Sequence, residues 1–218
     1  MGIALKALDQ YSLSMCSLLE PLILYLVLFF PGIMTSASEI AVAFSSDQYL
    51  FRLITYTLPA LALVWFLLRN EQTARALARP SLRDLLICCL SLVALIAISS
   101  LLSALSSLFS SQSMRLEKPD DALDWFVLCL SCLGTGYLEE SWFRLYLPLK
   151  LQNAGFVSGT AIALSTLLFA LCHRYEGAWG VLNAALAGAI LSLILWKKKS
   201  FHGIALAHAL YNTLALAC

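Results

Sequence analysis

Charge is what this chain has least of. Its 218 residues hold 14 Lys and Arg against 13 Asp and Glu, 12% in all, where soluble domains run at about 25%. So few ionic groups cannot cover a water-facing surface. With 61% hydrophobic residues and a mean hydropathy of +0.83, the chain reads as an integral membrane protein whose partner is the lipid bilayer. The net charge is +1, and no basic run is interleaved with aromatics, which excludes a nucleic-acid surface. A disulfide framework is also missing. The seven cysteines (Cys16, Cys88, Cys89, Cys129, Cys132, Cys172 and Cys218) are odd in number and lie mostly within apolar runs, so they read as small packing residues. Cys129 and Cys132 form a C-x-x-C with no second pair to complete a metal site. No internal repeat and no leftover soluble domain can be found, so any chemistry belongs inside or at the edge of a helix bundle.

What the chain has in quantity is apolar runs. A bilayer core of about 30 Å needs roughly 20 apolar residues per helix. The expected spans are about 17–34, 51–68, 84–109, 123–150, 154–173, 179–196 and 201–217. The predicted fold is therefore all-α, a polytopic transmembrane bundle of about seven (six to eight) spans. The first span begins too deep in the chain to read as a removable signal peptide. Arg69, Arg75, Arg79 and Arg83 follow the second span and Lys197, Lys198 and Lys199 the sixth, with Lys6 before the first and Lys150 after the fourth. Positive charge favours the cytoplasmic side, which predicts a cytoplasmic N-terminus. Gly134, Gly136, Ala184 and Gly188 suit close helix packing.

Against this background the polar residues stand out, because ionisable groups inside a span cost several kcal/mol. The densest cluster is Glu139-Glu140-Ser141-Trp142-Phe143-Arg144, flanked on both sides by apolar sequence. Glu140 and Arg144 are four apart on a helix and can pair. Glu139 lies about 100° round the helix and is left without that partner. A helix end among headgroups would also hold such charges, but two adjacent carboxylates with an arginine favour a working group. Phe169-x-x-x-His173 closes the fifth span, and His208-x-x-x-Asn212 sits in the middle of the last. His202, near the lysine run, reads as interfacial. Together these supply a carboxylate base, imidazoles, an amide donor and a guanidinium, the parts that hydrolysis of a carbonyl compound requires.

The ordered set also resembles a known family. Glu139-Glu140-x-x-x-Arg144, Phe169-x-x-x-His173 and His208-x-x-x-Asn212 resemble the three motifs of the CAAX protease and bacteriocin-processing (CPBP, or Abi) intramembrane endopeptidases. The resemblance covers residues 123 to 218, which it marks as the catalytic transmembrane core. Residues 1–122 are then a variable set of N-terminal helices in the same integral membrane domain. It implies an intramembrane polar cavity in which a peptide bond of a membrane-associated protein or peptide is cut, near its C-terminus in sorting-signal or precursor processing. Glu139 would activate water, with Glu140 and Arg144 orienting it and His173 helping to hold it. His208 and Asn212 would stabilise the oxyanion. No cofactor is favoured. There is no H-E-x-x-H helix, although zinc on Glu139, His173 and His208 stays open. The bacterial inner membrane is the expected location. The rival readings are a non-catalytic immunity or partner-binding protein, and a transporter.

One difficulty is geometric. With about 1.5 Å of rise per residue, simple antiparallel crossings leave Glu139 and His173 at different depths. A long tilted fourth helix, and a fifth helix running past His173 toward Trp179, would reconcile them.

Overall fold

The computed structural model describes residues 18–34, 44–72, 74, 79–108 and 118–217. Lys6, Arg75, Arg115 and Cys16 lie outside these residues, and Cys218 does too. Among the described residues all regular structure is helical, in seven helices. They are α1 (Leu18–Leu28, with a further turn Phe30–Met34), α2 (Ser46–Leu68) and α3 (Arg83–Ser107). The long α4 follows in three parts, Ala122–Glu140, Ser141–Tyr146 and Leu147–Asn153, and then come α5 (Ser158–Cys172), α6 (Gly177–Lys198) and α7 (Phe201–Ala217). By length and hydropathy three stretches suffice to cross a membrane, namely Ser46–Leu68, Arg83–Ser107 and Arg174–Lys198. Leu18–Leu28 and Ser158–Cys172 are apolar but shorter.

The surface is inverted relative to a water-soluble protein. Leu86, Leu90 and Val93 of α3 are each at least 64% exposed, whereas Glu140, Arg144, His208 and several serines are buried. Apolar side chains outside and polar ones inside are what a hydrocarbon solvent selects. The structure thus has the form of a helical membrane bundle.

Backbone chemistry accounts for the irregular points of α4. Asp121 caps its start by accepting from Asp124 N at 2.8 Å, which satisfies one of the free N-terminal amides. Between Ser141 and Tyr146 the helix widens into a π-helical stretch, and Leu147 N bonds to Trp142 O. That shift leaves the Phe143 carbonyl facing Pro148, which has no N–H to give. Ser165 of α5 supplies the missing donor, its hydroxyl lying 2.6 Å from Phe143 O. The same pairing recurs in α2, where a π-helical stretch at Leu53–Thr57 comes just before Pro59. Proline thus sets where both helices widen, and π-helical turns of this kind concentrate at working sites.

Helix packing follows from small residues. α7 packs chiefly on α3 and α4, α6 on α5 and α3, and α2 on α4. A Cβ at Gly136 would lie 3.0 Å from Ala209 N and 3.1 Å from Ala205 O, so only glycine lets α4 and α7 approach this closely. At Gly188 a Cβ would come within 3.1 Å of Phe169 and 3.4 Å of Arg144 Nη2. Gly155 and Gly177 have φ of 99° and 80°, which glycine alone adopts freely, and they turn the chain into α5 and α6. An aromatic wedge of Tyr25, Phe29, Trp142, Phe143 and Phe169 joins α1, α4 and α5.

Two expectations need correction. The fifth helix does not run on toward Trp179. It stops at Cys172, His173 is its C-cap, and a 3-10 turn at Arg174–Glu176 intervenes before α6. The second helix begins at Ser46, earlier than the expected start near residue 51, and ends at Leu68 as expected.

Candidate active site

The α4–α7 contact at Gly136 determines what meets one turn further along. Glu140 is fully buried and lies between two cations or donors. Arg144 Nε is 3.2 Å from Glu140 Oε2, and His208 Nδ1 is 2.8 Å from Glu140 Oε1. Glu139 is not the solitary carboxylate that helix geometry alone suggests, because His208 Nε2 stands 3.5 Å from its Oε2. One imidazole therefore bridges both carboxylates. The two glutamates differ in access, with Glu139 retaining 18% side-chain exposure against none for Glu140.

Several strong polar atoms here remain unspent. Among the described residues, Glu139 Oε2, Glu140 Oε2 and all three guanidinium nitrogens of Arg144 lack a well-aligned hydrogen bond. The Arg144–Glu140 contact is thus an ion pair by distance without the directionality of a hydrogen bond. Arg144 gains a second contact from the Phe169 ring, 4.5 Å from its Cζ, in a cation–π arrangement.

The other expected residues are placed less directly. His173 does not touch the carboxylates. Its ring packs on Phe169 at 4.6 Å between centroids, and Phe169 packs edge-on to His208 at 5.9 Å. Phe169 is the layer between them. His173 Nδ1 lies 2.9 Å from the Phe169 carbonyl of its own helix, so Nε2 is the ring nitrogen not used in that contact. Asn212 is half-buried one turn beyond His208 and makes no side-chain hydrogen bond to another described residue. Among the described residues no three His, Cys, Asp or Glu side chains converge as a metal-binding group. His202 Nδ1 lies 3.0 Å from the Tyr137 hydroxyl. Cys129 and Cys132 are free thiols, the first exposed and the second buried.

Two polar residues that the motif reading passed over lie beside this cluster. Asn183 of α6 donates from Nδ2 to the Tyr211 hydroxyl of α7 at 2.9 Å. An amide within the apolar run 179–196 was itself a signal, because a side-chain amide in a membrane helix seeks a partner across the helix interface.

An all-helical bundle with an inverted surface and a buried Glu-Glu-Arg-His cluster defines a polytopic membrane protein with a polar site among its helices. Residues 121–214 match the family described as type II CAAX prenyl endopeptidase Rce1-like. The match agrees with the CPBP resemblance of the motifs, which fall within the matched residues. Neither a curated protein nor a solved structure matches the chain.

Proposed function

We propose that the chain is an intramembrane endopeptidase that hydrolyses a peptide bond of a membrane-associated protein or peptide through a water activated by Glu139. The observation that carries this reading is the division of labour between the two carboxylates. Glu140 is sealed and held by Arg144 and His208, whereas the Glu139 side chain keeps partial exposure while its Oε2 faces His208 at 3.5 Å. A general base needs that access to reach water.

In the proposed reaction Glu139 takes a proton from water, and the hydroxide oxygen bonds to the scissile carbonyl carbon. The carbonyl oxygen gains the charge. Asn212 and protonated His208 are the donors for it, and such donors contribute most when fixed in advance. When the C–N bond breaks, Glu139 returns its proton to the leaving nitrogen. Glu140 and Arg144 hold His208 in register. His173, through its Nε2, meets water or substrate from the far side of Phe169. The substrate bond lies near a C-terminus, in sorting-signal or precursor processing, as the CAAX name of the family suggests. The enzyme sits in the bacterial inner membrane with a cytoplasmic N-terminus. Arg69, Arg79, Arg83 and Lys197 to Lys199 then share the cytoplasmic side. No resident cofactor is invoked.

The test is cleavage by the purified protein in liposomes. The probes are a prenylated CAAX peptide and a mass-spectrometric library of unprenylated membrane peptides. Wild type is compared with Glu139→Ala and His208→Ala, with and without a strong chelator. Cleavage lost in both variants and kept with chelator supports the glutamate reading. Loss on chelation with recovery on adding zinc would replace it with a metal site on Glu139 and His208. A membrane phenotype that survives Glu139→Ala would favour a partner-binding protein.

A further inference from the structure

The Asn183–Tyr211 bond has a direction, and the direction matters. Asn183 gives an N–H from Nδ2, so the Tyr211 oxygen accepts and its own O–H remains free to donate. Among the described residues nothing receives that proton. Tyr211 is three residues after His208 and Asn212 is four, so the three side chains flank one stripe of α7. α6 and α7 follow one another in sequence yet touch only sparingly, each packing mainly on other helices. The bond from Asn183 therefore reaches across a loosely packed seam to fix the orientation of the tyrosine ring beside the motif residues. On the other face of α6, Gly188 lies against Phe169 and Arg144, so α6 is positioned by the same cluster that it serves.

We infer that Tyr211, with its hydroxyl oriented by Asn183, is a third donor to the scissile carbonyl, beside His208 and Asn212. This rests on the endopeptidase reading above and extends its set of reacting residues. Tyr211 donates a hydrogen bond and no bond to it is made or broken. Asn183 is a positioning residue that acts through the tyrosine.

The experiment separates donation from a helix cross-link. Wild type, Tyr211→Phe, Asn183→Asp and the double variant are assayed on whichever peptide of the library above wild type cleaves in a Glu139-dependent manner. Thermal unfolding in detergent is read alongside. The aspartate variant keeps a partner for the tyrosine but reverses its polarity, drawing the O–H toward itself and away from substrate. The expected result is a fall in kcat of about 10²-fold for Tyr211→Phe, the scale of one lost oxyanion donor. KM should change little, Asn183→Asp should show a comparable loss with its unfolding midpoint retained, and the double variant should be no worse than either. Full kcat in Tyr211→Phe, or in a folded Asn183→Asp, would overturn the inference and leave the endopeptidase reading standing. Absence of Glu139-dependent cleavage of any peptide would overturn both.

Discussion

At the scale of single residues, the two adjacent glutamates separate by environment. Glu140 has no exposure and touches both Arg144 and His208. Replacing it with glutamine leaves a buried guanidinium without its counter-charge, and removing one partner of a buried pair costs about 3–5 kcal/mol. Glu139 keeps access and makes a longer contact to His208, so its charge matters less to the fold. Glu139→Gln should therefore lower kcat by about 10²-fold or more with a nearly unchanged unfolding midpoint. Glu140→Gln should lower both together. A cleavage assay run beside thermal unfolding of the two purified variants distinguishes these patterns, and equal stability losses would contradict the division of roles.

Helices set where those residues point. The π-helical stretch of α4 begins directly after Glu140 and ends two residues before Pro148. It takes in Arg144, so the widening itself decides how the guanidinium meets the carboxylate. Pro148→Ala restores an N–H to the backbone and permits a regular α-helix through 141–146. We expect the variant to unfold at the same or a higher temperature while losing at least 10-fold in kcat, because the register between Glu140 and Arg144 changes. Gly136 acts on the partner helix. A side chain there meets the backbone of Ala205 and Ala209 at 3.0–3.1 Å, and overpacking of this kind costs about 1–3 kcal/mol. Gly136→Val should push α7 outward, draw His208 away from Glu140 and reduce activity more than stability. Unfolding curves and kinetics measured on the same preparation would show whether the two losses are separable.

Over the whole molecule, the bundle sorts polar groups inward and apolar groups toward lipid, and α1 is tied to α4 and α5 by polar contacts. Glu20 pairs with Lys150 at 3.1 Å and accepts from the Tyr146 hydroxyl, and Tyr25 donates to Leu168 O at 3.0 Å. The N-terminal helix thereby closes over the Trp142–Phe143 side of α4. Orientation in the membrane is open to direct test. Reporter fusions made after Lys199 and after Asp120 should fall on opposite sides, with a cytoplasm-active reporter bright only at Lys199 and a periplasm-active phosphatase active only at Asp120. The reverse pattern would invert the proposed topology.

Composition alone was enough to exclude a soluble protein, because 12% charge cannot solvate a surface. The i,i+4 spacing was enough to suggest that Glu140 pairs with Arg144, but the geometry of the pair is set by the π-helical stretch between them. Spacing within one helix could not reveal that His208 bridges both glutamates, since that contact depends on how closely α4 and α7 pack at Gly136. Nor could it show that His173 stops one aromatic layer short, because α5 ends at Cys172 and Phe169 fills the space between. Proline at 148 was visible, but its consequence, a freed Phe143 carbonyl answered by Ser165, requires a second helix to be in place. Local chemistry determined the helices, their solvent and the list of polar residues. Tertiary packing decided which of them meet, because contacts between helices depend on depth, rotation and approach distance, none of which is encoded within a single helical period.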